Sequence, residues 1–192
     1  MSFLLIAGSP THPSRSAALL HEAARQLIRG GHDVSRIDVR LLDPAALLLA
    51  DAGQPSVARA VEQVAQARGV IVATPIYKAA YSGLLKLFID LLPQTALRGK
   101  SVLPLATGGS PHHMLALDYA LRPVLHAVGA TDVLPGVYAL DTQVHKLPEG
   151  GYTLVPELAS RLFSAVEALQ AQALPPTGAF APVAFADVRI SG

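Results

Sequence analysis

Cysteine is absent from all 192 residues. That excludes disulfides, thiolate catalysis and zinc or iron–sulfur sites built on cysteine. Charge is scarce too: 15% of residues are Asp, Glu, Lys or Arg, and the formal net charge is +1. A balance so close to zero offers no electrostatic basis for binding nucleic acid or an anionic membrane surface. Hydrophobic residues make up 51%, yet no uninterrupted apolar run approaches the roughly 18 residues that suggest a membrane span. Leu4 to Ala7 is too short for the apolar region of a signal peptide and lacks a basic lead-in, so a cytoplasmic setting is expected. The fingerprints G-x-G-x-x-G and G-x-x-x-x-G-K-[ST] are missing. So are a G-x-S-x-G elbow and any Ser–His–Asp or paired-carboxylate signature. A sheet buried on both faces, together with a subunit interface, accounts for the apolar surplus.

What is present is alternation. Phe3 to Ala7 reads as a strand, and from Ser16 the positions Leu20, Ala24, Leu27 and Ile28 keep helical spacing until Gly30 and Gly31. His32 to Val39 reads as a second strand and Asp43 to Ala50 as a short helix. A longer helix follows on Val57, Ala60, Val61, Val64 and Ala65. Gly69 to Pro75 is a continuous β-branched strand. Ser82 is placed to cap a helix whose apolar face is Leu84, Leu85, Phe88, Leu91 and Leu92. Ser101 to Ala106 predicts another strand, and Met114, Leu117, Leu121, Val124, Leu125 and Val128 another helix. Thr131 to Leu140 predicts a last strand interrupted by Pro135 and Gly136. Pro156 to Gln170 closes as a helix with Leu158, Leu162, Val166 and Leu169 inward.

Such alternation implies right-handed βαβ units and an α/β fold with helices on both faces of a parallel sheet. Five strands at this length suit the flavodoxin-like order 2-1-3-4-5. The expected organisation is one domain over 1–174 and a Pro-rich tail over 175–192. In this order, ligands sit beyond the carboxyl ends of the strands, so the loops after strands one, three and four are the candidates.

The first loop, Gly8 to Ser16, leads into a helix N-terminus, where free amides and the helix dipole favour an anion. Ser9, Ser14 and Ser16 add hydroxyls and Arg15 a fixed charge, a set suited to a phosphate monoester. The same residues also describe an ordinary capped turn. The second loop carries Pro75, Ile76, Tyr77 and Tyr81, which suit a flat heteroaromatic ring or serve as packing residues. In the third, Gly108 and Gly109 let a backbone approach a ligand, flanked by the hydroxyls of Thr107 and Ser110; an ordinary strand-to-helix turn is the other reading. His112 and His113 are adjacent and have no carboxylate or third histidine at ligand spacing, so no metal site is expected. Taken together, the three loops suit flavin mononucleotide (FMN), with its phosphate in loop one and its ring between loops two and three.

Four blocks carry a family resemblance: AGSP with PSRS, VATPIYKAAYSGLLK, LPLATGG and LDYALRPVL. They resemble the NADPH-dependent FMN reductases, and most of all the reductase branch of bacterial two-component alkanesulfonate monooxygenase systems. The likeness runs from about residue 3 to 170 and is weak around 40–56 and after 140. It implies that Ser9, Ser14, Arg15 and Ser16 bind the FMN phosphate. It further implies that Pro75, Ile76 and Tyr77 line the ring, with Thr107, Gly108 and Gly109 at its polar edge. NADPH is the implied reductant, an FMNH2-dependent monooxygenase the implied partner, and a homodimer or homotetramer the implied assembly. Tyr119 matches a tyrosine that in the sulfonate-linked reductases forms a π-bulge at the subunit interface and accompanies flavin acting as a releasable substrate. Apolar spacing alone is compatible with an uninterrupted α-helix there and with a plain interface tyrosine.

Hydride transfer between two cofactors needs no protein acid–base pair, which agrees with the missing catalytic signatures. A quinone, azo or chromate reductase with tightly held flavin is the main alternative; the near-neutral charge argues against a flavodoxin-like electron carrier, and the missing G-x-S-x-G elbow against an esterase-like hydrolase. Arg15, Lys78 and Arg122 are the basic residues available for the 2′-phosphate of NADPH.

Overall fold

The chain folds around one twisted, mostly parallel sheet. The computed structural model describes residues 2–173; the proposed tail of 175–192 lies outside the described residues. The elements in chain order are β1 (Ser2–Ala7), α1 (Arg15–Arg29), β2 (Asp33–Asp38), α2 (Pro44–Leu49), α3 (Pro55–Gln66), β3 (Gly69–Tyr77), β4 (Ala80–Tyr81) and α4 (Gly83–Asp90). They continue as β5 (Ser101–Gly108), α5 (Arg122–Ala127), β6 (Asp132–Val133), β7 (Val137–Leu140), β8 (Val144–Lys146), β9 (Tyr152–Leu154) and α6 (Pro156–Ala173).

The main path is β2-β1-β3-β5-β6. It reproduces the expected 2-1-3-4-5 order, because β6 and β7 both pair in parallel with β5 and together form the expected last strand. The break falls at Leu134–Gly136, where Pro135 has no N–H to donate. The amide of Leu134 still reaches the carbonyl of Val102 at 2.9 Å. The sheet has seven strands rather than five, since that split adds one strand and the short antiparallel β4 beside β3 adds another. A separate two-stranded hairpin, β8-β9, follows it.

Side chains alternate across the sheet with period two. Leu4, Ile6, Val70, Val72, Val102 and Ala106 pack on one face with α2, α3, α4 and α5. Phe3, Leu5, Ala7, Ile71, Ala73, Leu103 and Leu105 pack on the other with α1 and α6. Burial on both faces explains why these strands read as continuous apolar runs. The four positions expected inward on α6 are all buried. Met114, expected inward, is exposed, because the continuous helix predicted from it does not form. A 3₁₀ turn occupies Pro111–His113, and a π-helical turn occupies Leu117–Leu121 ahead of α5. Among the described residues no helix is long and apolar enough to cross a membrane.

Candidate active site

The chain leaves β1 at Gly8, whose amide donates to the carbonyl of Ala73 on β3 at 2.8 Å. The Ser82 hydroxyl donates to the Gly8 carbonyl and accepts from the Leu85 amide at 3.1 Å. Ser82 is therefore the expected cap of α4, and it also fastens the first loop to the second. A side chain at Gly8 would place its Cβ 2.8 Å from that of Leu85, so the close approach of loop and helix requires glycine here.

Ser14 has extended backbone angles, and its hydroxyl accepts from Ala17 N at 3.2 Å, capping α1. The capped-turn and anion-site readings are thus compatible. The cap uses an oxygen lone pair and leaves the hydroxyl proton free to donate; Ser14 Oγ lies 3.4 Å from Ser16 Oγ. The first turn of α1 carries no acidic residue, so nothing in the helix itself neutralises the positive end of its dipole. Ser9, Ser14 and Ser16 are buried, and the Ser9 hydroxyl accepts from the Thr11 amide at 3.2 Å.

Arg15 points into the same region but is held by residues far along the chain. Its Nε donates to the Val144 carbonyl at 3.2 Å, and its guanidinium carbon lies 5.7 Å from the ring centroid of Tyr152. One terminal nitrogen lies 3.8 Å from Asp141 Oδ2.

The second loop is a hairpin. β3 continues through Pro75 to Tyr77, and Ile76 pairs with Tyr81 and Tyr77 with Ala80. Lys78 and Ala79 both have positive φ, 50° and 63°, the pattern of a two-residue turn whose backbone normally selects Asn or Gly. Tyr77 is 48% exposed, whereas Ile76 is buried in the core. Tyr81 is half-buried against the same core, and burial raises its phenol above the ordinary range. Of the two tyrosines, Tyr77 borders the open space and Tyr81 packs.

In the third loop the two glycines differ in what surrounds them. Gly108 belongs to β5, and a Cβ there would collide with the Tyr138 hydroxyl. Its missing side chain makes room for a neighbouring tyrosine. Tyr138 passes over Gly108 and donates to the Ser110 carbonyl at 2.6 Å. Burial first, and the nearby Asp141 carboxylate second, push this phenol up, while the Ser110 hydrogen bond opposes them. A Cβ added at Gly109 would meet Asp141 Oδ2 at 3.8 Å, an ordinary contact distance, so this position is the more open of the two glycines.

Ser9, Ser14, Arg15, Ser16, Pro75, Ile76, Tyr77, Thr107, Gly108 and Gly109 all line one cleft of about 160 Å³ at the carboxyl ends of β1, β3 and β5. Thr11, Pro13, Asp141 and Tyr152 complete it. Asp141 and Tyr152 were missed because they lie where the family blocks fade. The local signal was Gly150–Gly151 between the runs VHK and YTL, a turn between short strands. A larger hollow of about 610 Å³ lies alongside, between α1 and the β8-β9 hairpin, and shares Pro13, Ser14 and Tyr152 with the cleft. The smaller cleft is the candidate site, because it joins the three strand-end loops.

Tyr119 does not line this cleft. It lies in the π-helical turn and is 79% exposed. The Arg122 amide bonds back to the Leu117 carbonyl, five residues earlier. A readable cause sits in the sequence: Pro123 lacks the amide that would bond the Tyr119 carbonyl in an α-helix. Arg122 is also committed, to Asp118 at 3.1 Å and to the carbonyls of Val133 and Leu134. His112 and His113 lie in the 3₁₀ turn after Ser110. Among the described residues no group of three or more His, Asp or Glu is placed to hold a metal.

Residues 1–145 match the family model described as NADPH-dependent FMN reductase. The FMN reductase (NADPH) of Escherichia coli K12 is 48% identical over 170 residues, covering 87% of each chain. The FMN reductase (NADPH) of Pseudomonas putida KT2440 is 46% identical over 169 residues, covering 87% of this chain and 85% of the relative. Among solved structures, the apo form of an NADH:FMN oxidoreductase superposes with a TM-score of 0.79 at 44% identity and covers 88% of each chain.

Proposed function

This chain belongs to the NADPH-dependent FMN reductase family, and we propose that its strand-end cleft binds FMN for reduction by a nicotinamide dinucleotide. One observation carries this reading: ten residues from three separate loops, with side chains and backbone suited to phosphate and ring binding, line a single cleft. Its donor set fits the ligand. Ser9, Ser14 and Ser16 supply hydroxyls and Arg15 a positive charge. The first-turn amides of α1, which a helix leaves without internal acceptors, favour a phosphate. Pro75, Ile76 and Tyr77 would flank the ring, and the Thr107 hydroxyl and the Gly108 and Gly109 backbone would meet its polar edge. When bound, the flavin supplies a ring that accepts hydride from the nicotinamide. The protein would align the two reactants, and the backbone amides of Gly108 and Gly109 would be the groups to stabilise negative charge on a reduced ring held there. At about 160 Å³ the cleft is smaller than the roughly 300–1,000 Å³ of sites that enclose a ligand. A cleft of this size does not enclose the whole ligand, which fits a flavin that is exchanged and approached by a dinucleotide.

Reduced FMN would then leave for an FMNH2-dependent monooxygenase, of the sulfonate-linked type that the sequence resembles. The exposed π-helical turn supports this exchange role, and exposed Met114, Leu115 and Tyr119 support assembly into a homodimer or homotetramer through that face. A cytoplasmic setting, where reduced dinucleotide is regenerated, fits the same reading.

The test is NADPH oxidation by purified protein with and without added FMN. The expected result is turnover that requires added FMN, with sequential kinetics in both reactants and weak, exchangeable flavin. Absence of NADPH oxidation with FMN present would overturn the reading. Protein that purifies with flavin bound and runs by a ping-pong mechanism would indicate a tightly held prosthetic group instead. Tyr119→Ala is expected to tighten flavin retention and lower turnover with free flavin; unchanged values would remove Tyr119 from the mechanism.

A further inference from the structure

The phosphate end of the cleft contains a carboxylate that an anion site would not call for. Asp141 lines the cleft with Arg15, Ser14 and Ser16, and its Oδ2 lies 3.8 Å from an Arg15 guanidinium nitrogen. A Cβ added at Gly109 would lie 3.8 Å from the same oxygen, an ordinary contact distance, so the carboxylate stands between the first and third loops. Both side chains of the pair are partly exposed, at 38% and 43%. An ion pair this long and this wet contributes little to stability, so the fold does not account for the acid. Nor does Arg15 depend on it for its position, because the Val144 carbonyl and the Tyr152 ring hold the guanidinium from other sides.

We infer that Asp141 weakens the phosphate end of this cleft, so that flavin bound there is readily released. The inference rests on the proposed FMN reading of the site. An incoming phosphate carries up to two negative charges. It must compete with Asp141 for Arg15 and must also sit close to the Asp141 carboxylate itself. Both effects oppose the serine hydroxyls and the helix dipole, and both act on the phosphate rather than on the ring. The exchangeability that the sequence resemblance attached to Tyr119 thereby acquires a cause inside the cleft, at a residue that touches Arg15. For a reductase whose product must depart to a second enzyme, a tight phosphate cradle would slow release, and a carboxylate placed here prevents it.

The test compares FMN with riboflavin, which has the same ring and no phosphate. Dissociation constants are measured by flavin fluorescence for the full-length wild-type chain and for D141N, D141S and D141E. The wild type is expected to bind FMN more tightly than riboflavin. D141N and D141S should each tighten FMN about tenfold, as removal of one like charge at close range in a wet site implies, and slow its release in proportion. Riboflavin affinity should not change, and D141E, which keeps the charge, should behave as wild type. FMN affinity unchanged or weakened in both neutral variants, or tightened equally with riboflavin, would overturn the inference. A wild type that binds riboflavin as well as FMN would instead overturn the phosphate assignment itself, so the two failures are distinguishable. Melting temperatures measured without flavin check that each variant folds, and D141S carries the same expectation if D141N does not.

Discussion

Gly108 and Tyr138 form a pair in which one residue's absence of a side chain is the other's space. The Tyr138 hydroxyl occupies the position a Gly108 Cβ would need and donates to the Ser110 carbonyl. Gly108→Ala is expected to destabilise the protein by roughly 1–3 kcal/mol, the range for overpacking a closed site, measured by denaturant unfolding. Adding Tyr138→Phe should recover part of that loss, because it removes the colliding oxygen. Non-additivity of this kind is the mark of residues in direct contact. Lys78 is the second residue of interest. Of the three basic candidates for a dinucleotide 2′-phosphate, Arg15 and Arg122 already bond to protein carbonyls, which leaves Lys78 at the hairpin tip beside Tyr77. Lys78→Ala should raise KM for NADPH several-fold and leave KM for NADH unchanged, in parallel steady-state assays; equal changes for both would rule the lysine out as the discriminator.

At the scale of elements, two local irregularities surround the strand ends. The β3-β4 turn holds Lys78 and Ala79 at φ 50° and 63°, a region that costs a residue with a Cβ about 1–2 kcal/mol. Ala79→Gly is expected to raise stability by about 1 kcal/mol, less the entropy that glycine adds to the unfolded chain; a lower unfolding midpoint would contradict that account. The α4 cap does the opposite and concentrates stabilisation in one hydroxyl. Ser82→Ala removes the cap of Leu85 and leaves the Gly8 carbonyl without its hydrogen bond. A loss of about 2 kcal/mol is expected in the same unfolding experiment, with a rise in KM for FMN because loop one loses its tie to loop two. The π-helical turn shows why apolar spacing predicted an ordinary helix. Leu117, Leu121 and Leu125 are all buried, so the apolar stripe survives one extra residue, and only Pro123 records the disturbance.

At the scale of the whole molecule, two tyrosines packed on the same core couple stability to alkaline pH. Burial raises both Tyr81 and Tyr138 above the ordinary phenol value of about 10. A group raised on folding binds its proton more tightly in the native state. Its contribution is therefore complete below the unfolded value and is lost as pH climbs through the folded one. Stability should decline above about pH 10, and the decline should flatten in Tyr81→Phe and Tyr138→Phe variants. Lys100 works in the other direction, since burial first and Arg68 second hold its ammonium below the ordinary lysine value. A melting-temperature profile from neutral to strongly alkaline pH would measure the balance.

The strand–helix alternation, the sheet order and all four inward positions on α6 were legible because they follow from local period and from burial on both faces. The convergence of the three strand-end loops on one cleft was legible for a related reason: in a parallel sheet the sequence order of the strands dictates which strand ends adjoin. What only the tertiary structure decided joins residues distant in sequence. Arg15 meets Val144, Asp141 and Tyr152, and Gly108 meets Tyr138 across the β5-β7 pairing. No periodicity encodes such contacts. A single sequence therefore announced a cradle with a positive charge, and folding alone placed a carboxylate against it.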